Sequence, residues 1–100
     1  MIGRIRERFE RREYEYSLHA VDQSILRKIT VIEVEQAVAH GEVIEEYPSD
    51  KYGPSCLIFG RTGEGRPIHV QCTTPSRLVL KVITVYEPDE TKWIECRKRR

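Results

Sequence analysis

The chain has 100 residues, of which 39% are hydrophobic and 33% are charged, and its formal net charge is +1. This composition predicts one soluble globular domain and argues against a disordered chain. The apolar runs are too short to span a bilayer, and the N-terminus does not follow a signal-peptide pattern. The three cysteines lack the spacing of metal ligands, so we interpret them as free thiols of a cytoplasmic protein and expect no metal or other cofactor.

The positive charge is concentrated at both ends of the chain. Five arginines lie between residues 4 and 12, and the sequence RKRR occupies residues 97–100. We therefore assign residues 1–15 to an N-terminal basic amphipathic helix, residues 16–94 to a single α+β domain and residues 95–100 to a basic C-terminal tail. Such clusters can contact phosphate or an acidic partner, and they are equally compatible with a solvated helix face and a frayed terminus.

Three helices are predicted in the first part of the chain. The first spans residues 2–13, and the second begins after Ser17, a residue type that favours the N-cap position. The third opens with a capping box formed by Thr30 and Glu33 and ends before Gly41. In the second helix, apolar residues at helical spacing predict the buried face: Leu18, Val21, Ile25 and Ile29.

The second half of the chain predicts four antiparallel strands. The segment EVIEEYP supplies the first, and the apolar runs CLIF, IHV and LVLKVITVY supply the others, with the turn-rich segments RTGEGRP and TTPSR between them. The fold class is thus α+β, with two or three N-terminal helices packed on a four-stranded antiparallel β-meander. Trp93 is expected to cover an edge of the core, and four strand residues are expected beneath the helices: Ile68, Val70, Leu80 and Val82.

Polar residues that interrupt the apolar strands are the candidates for chemistry. Strand alternation puts His69 and Gln71 on the face away from the helices. If the TTPSR connection keeps an even register, Lys81 lies beside His69 on that open face. Histidine can act as acid or base near neutral pH and cations can hold phosphate, so this pair suits metal-free RNA cleavage. The loops offer further phosphate-binding candidates: Arg61, Arg66 and Arg77.

Each candidate histidine also has a structural interpretation, which spacing alone favours. His69 is then a strand histidine that only packs against its neighbours. His19, near the start of the second helix, either points into a cleft between helix and sheet or is a boundary residue with a local hydrogen bond.

Four segments taken together resemble the domain-of-unknown-function family 4258 over residues 16–93: SLHAVDQSILRKIT, VEQAVAHGEVIEEYPSD, PSCLIFGRTGEGRPIHV and ITVYEPDETKW. The resemblance implies a small α+β domain similar to the RelE-like and barnase-like ribonuclease fold group. By this resemblance, members are similar to toxins of toxin–antitoxin pairs or to toxin domains of larger proteins. Residue by residue, the resemblance implies roles for His19, for His69, and for Thr84 and Tyr86 in the ITVY segment.

The leading hypothesis is a toxin-like, metal-independent endoribonuclease of the cytoplasm. Its catalytic residues would be His69, His19, Lys81 and Thr84. Its partners would be RNA, free or on the ribosome, and an antitoxin protein, with no membrane contact; the oligomeric state is left open. The alternatives are a non-catalytic module that binds RNA or a protein through the same face, and a family member that keeps the fold without activity. The residues expected to bind substrate are Arg61, Arg66, Arg77, Gln71 and Tyr86.

Overall fold

The computed structural model describes residues 1–75 and 79–100. Within those residues the chain forms three helices and seven strands. In chain order the elements are α1 (Ile2–Glu10), β1 (Tyr14–Tyr16), α2 (Leu18–Leu26), α3 (Val31–Ala39), β2 (Glu42–Tyr47), β3 (Ser55–Arg61), β4 (Pro67–Thr73), β5 (Leu80–Tyr86), β6 (Trp93–Ile94) and β7 (Lys98–Arg99).

The main sheet has five strands in the order β1-β5-β4-β3-β2. Strands β2 to β5 pair antiparallel, as predicted. The prediction of a four-stranded, wholly antiparallel meander is wrong, however, because β1 adds a fifth strand parallel to β5, with Tyr14 opposite Leu80. The Tyr-Glu-Tyr segment is too short for its alternation to indicate a strand, and the strand that it pairs with lies far along the sequence.

The helix caps agree with the prediction. The hydroxyl of Ser17 accepts a hydrogen bond from the Ala20 N–H, and Thr30 and Glu33 form the capping box of α3. The Ser17 hydroxyl also donates to the carbonyl oxygen of Ile83 at 2.9 Å. The cap therefore fixes the start of α2 against the middle of β5.

The apolar core lies between the helices and one face of the sheet. α2 packs on β5, α3 packs on β3 and β4, and α1 packs on α3. α1 belongs to this core, because Ile5 and Phe9 are buried in it and Arg6 donates to the carbonyl oxygen of Gly41 at 2.6 Å. The four strand residues predicted beneath the helices are fully buried: Ile68, Val70, Leu80 and Val82.

The apolar face of α2 is not where the sequence predicts it. Leu18, Val21 and Ile25, all expected to be buried, are 85%, 38% and 72% exposed. Ala20 is the buried residue of α2, and Ile29, after the helix, is buried as predicted. Helical spacing marks a continuous apolar face, but it does not specify whether the same chain covers that face.

The other face of the sheet is partly covered by the C-terminal hairpin, the name we give to residues 92–100. Its two strands pair antiparallel, with Trp93 opposite Arg99. Trp93 is 4% exposed, which confirms that it covers an edge of the packed interior. Residues 95–100, expected to be a basic tail, form the turn and second strand of this hairpin. Among the described residues, no helix is both long and apolar enough to cross a membrane.

The core position of Leu80 predicts a large effect of truncation. We expect Leu80→Ala to lower the free energy of unfolding by about 2–5 kcal/mol, because it removes a fully buried side chain. The neighbouring Val79 is 39% exposed, so Val79→Ala should change that free energy by no more than about 0.5 kcal/mol. Urea denaturation of both variants measures the difference, and equal losses would contradict the packing described here.

Candidate active site around His69 and Tyr86

His69 lies within β4 and is fully buried. Its Nδ1 is 3.1 Å from the hydroxyl oxygen of Tyr86, and its Nε2 is 2.6 Å from the carbonyl oxygen of Cys96. A carbonyl oxygen can only accept a hydrogen bond, so we assign the ring proton to Nε2, and the Tyr86 hydroxyl donates to Nδ1. The imidazole is therefore a neutral tautomer with both nitrogens satisfied.

Aromatic rings surround this imidazole on three sides. The ring centroids of Phe59 and Tyr86, on the two neighbouring strands, lie 5.8 and 5.2 Å from that of His69. Trp93 of the C-terminal hairpin lies at 4.6 Å, also edge-on. His69 does point away from the helical layer, but the expectation that this face is open around it is wrong, because the C-terminal hairpin covers the ring.

Burial controls the ionisation of this pair. It lowers the pKa of His69, an effect opposed by the hydrogen bond to Cys96 and by the charge of Glu45, and reinforced by Arg99. Burial also raises the pKa of Tyr86. Near neutral pH the site thus holds a neutral phenol hydrogen-bonded to a neutral imidazole.

A cleft of about 450 Å³ lies on the solvent side of Tyr86. The end of α2 contributes Arg27 to its wall, and the C-terminal hairpin contributes Lys92 and Trp93. Tyr86 is half-buried, so its ring reaches both the cleft and the buried His69. The cleft therefore combines Tyr86 with two cationic side chains, and the buried His69 contacts the Tyr86 hydroxyl from outside the lining. Two carboxylates complete its lining: Glu87 and Asp89.

The register of the sheet separates Lys81 from His69. Tyr86, not Lys81, stands opposite His69, and the pairing of β4 with β5 is irregular between Gln71 and Cys72. Lys81 lies five positions before Tyr86 in the same strand, which corresponds to about 16 Å of extended chain. At the Cys72–Val82 pair the register would place Val85 opposite His69, and the irregularity shifts that partner by one residue to Tyr86. The register itself, and not the irregularity, therefore separates Lys81 from His69.

Three of the predicted site residues lie elsewhere on the sheet: Lys81, Gln71 and Thr84. The Lys81 ammonium lies 3.3 Å from a carboxylate oxygen of Glu15. The Gln71 side chain donates to a carboxylate oxygen of Asp50 at 3.3 Å. Thr84 is half-buried and stands opposite Gln71. Only Tyr86, among the polar residues predicted on β5, lines the cleft beside His69.

His19 does not meet His69. It lies exposed in the first turn of α2, whereas Arg27, which follows the last turn, reaches the cleft. Eight residues of helix separate the two by about 12 Å. The predicted convergence of the two histidines is therefore not found.

Of the three predicted loop arginines, Arg66 has a structural role. It donates to the carbonyl oxygens of Arg27 and Lys28 at 2.9 Å each, which satisfies the end of α2. It also binds the carboxylates of Glu33 at 3.1 Å and Glu87 at 2.9 Å. Through these four contacts Arg66 connects the end of α2 with α3 and with the end of β5.

The other two loop arginines do not contribute to the described cleft. Arg61 is exposed at the end of β3, and its guanidinium donates to the carbonyl oxygen of Gly65 in the same turn at 3.0 Å. Arg77 lies outside the described residues.

Three groups of the site were not predicted from the sequence: Arg27, Lys92 and the Cys96 carbonyl. The first two are surface cations with no pattern that sets them apart, and a backbone carbonyl has no sequence signal at all. Within residues 1–75 and 79–100, no three His, Cys, Asp or Glu side chains come together in an arrangement that could hold a metal ion.

The fold and the site define a small α+β domain in which a buried histidine is hydrogen-bonded to a half-buried tyrosine, beside a cleft lined by two cations and two carboxylates. The chain belongs to the family described as "Domain of unknown function (DUF4258)", whose model matches residues 16–87. That range includes α2, α3 and β2 to β5, and it stops before the C-terminal hairpin. No curated protein and no solved structure matches the chain.

The ionisation of His69 predicts how stability depends on pH. Because its pKa is lower in the fold than in the unfolded chain, the unfolded state binds a proton more readily below about pH 6.5. Stability is then complete above that pH and falls as the pH decreases toward the folded pKa, by up to about 1.4 kcal/mol per pH unit.

We expect His69→Gln to remove most of this loss between about pH 7 and pH 5, and His19→Gln to keep it, because His19 is exposed. Urea denaturation at several pH values measures the free energy of unfolding of the unmodified chain and of both variants. The carboxylates with lowered pKa, such as Glu45 and Asp89, titrate below this window. A flat stability profile in the unmodified chain would contradict the buried neutral imidazole.

Proposed function

We propose that this domain is a toxin-like endoribonuclease that cleaves RNA without metal, with Tyr86 and His69 as its proton-transfer pair. One observation carries the proposal: Tyr86, a residue that lines a solvent cleft, donates its hydroxyl hydrogen bond to a buried neutral imidazole. Arg27 and Lys92 line the same cleft and suit a phosphate group. Unlike the hypothesis drawn from the sequence, this proposal has His69 exchange its proton with Tyr86 and not with His19.

The reaction would use the 2′-hydroxyl of the RNA. The Tyr86 oxygen accepts the 2′-hydroxyl proton while its own proton passes to Nδ1 of His69. The 2′-oxygen forms a bond to the adjacent phosphorus, and the bond from phosphorus to the 5′-oxygen breaks. Water protonates the leaving 5′-oxygen, and the hydroxide that remains recovers the proton from His69 through Tyr86. The products are a 2′,3′-cyclic phosphate and a free 5′-hydroxyl.

Two contacts favour a proton on His69, against burial and Arg99, which lower its pKa. While His69 is protonated, its Nε2–H still donates to the Cys96 carbonyl, and the nearby Glu45 charge favours the cation. Arg27 and Lys92 would neutralise the charge that develops on the phosphate oxygens. DNA lacks the 2′-hydroxyl, so the same site would leave DNA intact.

Removal of one oxygen tests this mechanism. Tyr86→Phe keeps the ring but loses the hydroxyl, so cleavage of a single-stranded RNA oligonucleotide in a chelating buffer should fall by about 100-fold or more. Mass spectrometry of the products should show the cyclic phosphate.

Tyr52→Phe, in the loop before β3, is the matched control and should cleave like the unmodified chain. The same oligonucleotide with 2′-deoxyribose should not be cleaved by any variant. Equal cleavage by Tyr86→Phe would remove the phenol from the mechanism, and failure of the unmodified chain to cleave RNA would refute the ribonuclease proposal.

A second candidate function, binding of a protein partner, is favoured by the exposed face of α2. Leu18, Ile25 and Leu26 are 85%, 72% and 73% exposed, and neighbouring exposed apolar side chains of this size are typical of an interaction site. Arg27 and Lys28 follow at the end of the helix. We propose that the partner is an amphipathic helix of an antitoxin protein, with carboxylates that face these two cations.

The size and charge of this face argue against a second copy of the chain. α2 has nine residues and is about 14 Å long, which is short for an interface of about 800 Å² per partner. Asp22, exposed in the middle of the helix, would face its own copy in an antiparallel pair. A partner that extends beyond α2 past Arg27 would reach the cleft.

A substitution on α2 tests whether the partner binds the exposed face of this helix. The product of an adjacent small reading frame should bind the chain, and Ile25→Asp should weaken that binding by about 30-fold or more, the effect of losing a central apolar contact. Calorimetry measures both affinities. Ile94→Asp, at an exposed apolar position of the C-terminal hairpin, is the control and should bind normally. Unchanged binding by Ile25→Asp would contradict the docking surface.

A further inference from the structure

The C-terminal hairpin separates His69 from solvent. The Trp93 ring stands edge-on at 4.6 Å from the imidazole, and the Cys96 carbonyl accepts a hydrogen bond from Nε2 at 2.6 Å. With Phe59 and Tyr86 on other sides, these contacts leave His69 with no exposed surface. A nucleotide can reach the ring directly only if the hairpin moves.

The hairpin has little local stability of its own. Its strands are two residues each, and isolated short hairpins are marginally stable. In its turn, Glu95 and Cys96 have φ angles of 50° and 65°, and the Arg97 N–H donates to the Ile94 carbonyl at 3.0 Å. Two positive φ angles in succession define a turn that glycine and asparagine normally occupy, so residues with larger side chains strain it.

Two ion pairs hold the hairpin against the edge strand β2. Arg97 Nε lies 2.5 Å from a carboxylate oxygen of Glu42, and Arg99 Nε lies 2.8 Å from one of Glu45. The two arginine side chains are 52% and 60% exposed, so a competing anion can reach them. Ion pairs with this exposure contribute little to stability, and an RNA phosphate can replace the carboxylate as a partner of arginine.

We propose that the C-terminal hairpin is an inhibitory strap over His69, and that the phosphates of a bound single-stranded RNA release its arginine end by drawing Arg97 and Arg99 away from Glu42 and Glu45. Lys92, the first residue of the hairpin, stays at the cleft, and water or an RNA oxygen takes the place of the Cys96 carbonyl as the acceptor for Nε2–H. The proposal rests on the ribonuclease function proposed above and concerns regulation of the same site. It gives the RKRR segment a role, since four successive cations attract a polyanion. It also explains how a site with a fully buried histidine can respond to its substrate.

The location of the hairpin agrees with a regulatory addition to the domain. The family match ends at residue 87, and the hairpin follows after a turn in which Asp89 accepts hydrogen bonds from Thr91. The core residues on the helical face of the sheet, such as Val70 and Val85, do not belong to the surface that the hairpin covers. Release would thus expose the aromatic cluster around His69 and leave the main core intact.

Chemical labelling tests release without any need for catalysis. Diethyl pyrocarbonate modifies accessible imidazoles, and mass spectrometry of peptides compares His69 with the exposed His19 and His40 in the same molecule. In the unmodified chain His69 should react roughly tenfold more slowly than the other two, or slower still. A short 2′-O-methylated RNA, which cannot be cleaved through its blocked hydroxyls, should raise the His69 rate and leave the other two unchanged. Trp93 is the chain's one tryptophan, and its emission should move to longer wavelength with the same RNA.

A double variant and a control variant test whether the two ion pairs hold the strap in place. Glu42→Gln with Glu45→Gln should raise the His69 rate about fivefold without RNA, because both arginines lose their carboxylate partners. The effect is partial, because Arg97 still lies over the Phe59 ring and Arg99 over the Trp93 ring. Glu7→Gln, which removes an exposed carboxylate 3.0 Å from Arg11 on α1, is the matched control and should leave His69 protected. Far-ultraviolet circular dichroism of each variant distinguishes strap release from unfolding.

The outcomes distinguish this proposal from the ribonuclease proposal. Protection of His69 that persists with the RNA bound and in the double glutamine variant would overturn the strap and leave the cleavage assay of Tyr86→Phe unaffected. Absence of RNA binding would overturn release by RNA. Exposure of His69 by RNA in a chain that does not cleave would support the strap and refute the nuclease.

Discussion

The two hydrogen bonds of the buried His69 ring connect β4 both to β5 and to the C-terminal hairpin. A buried polar group without partners is costly, so both ring nitrogens must be satisfied in the folded protein. One partner is the Tyr86 hydroxyl on β5 and the other is the Cys96 carbonyl in the C-terminal hairpin. The strand pairing, the cleft and the hairpin therefore depend on one another: displacement of the hairpin requires a new acceptor for Nε2, which water or an RNA oxygen can supply.

Several charged side chains of the described residues form ion pairs on the protein's own surface. Arg66 is held between Glu33 and Glu87, and the hairpin arginines are held by carboxylates of β2. The net charge of +1 follows from 17 lysines and arginines against 16 aspartates and glutamates. Binding to RNA would then proceed by exchange of carboxylate for phosphate, which is sensitive to salt and to the length of the RNA.

The exposed face of α2 and the cleft meet at Arg27. This residue follows the last turn of α2 and lines the cleft beside Tyr86. A protein bound along α2 would therefore lie at the entrance of the proposed active site, and the same contact would both bury the apolar face and exclude RNA. The two candidate functions are compatible for this reason: one surface would regulate the other.

Sequence by itself determined the helix caps, strands β2 to β5 and the core residues that these strands contribute. The Thr30 capping box, the strands and the burial of Leu80 follow from residue preferences and periodicity that act over a few positions. Tertiary structure alone decided that β1 joins the sheet in parallel, that Tyr86 stands opposite His69, and that α2 exposes Ile25. Each of these features depends on contacts between segments that are far apart in the sequence. A single irregularity in one strand pair changes every side-chain neighbour beyond it. Local preferences do not contain that information, because it arises only when the whole chain packs.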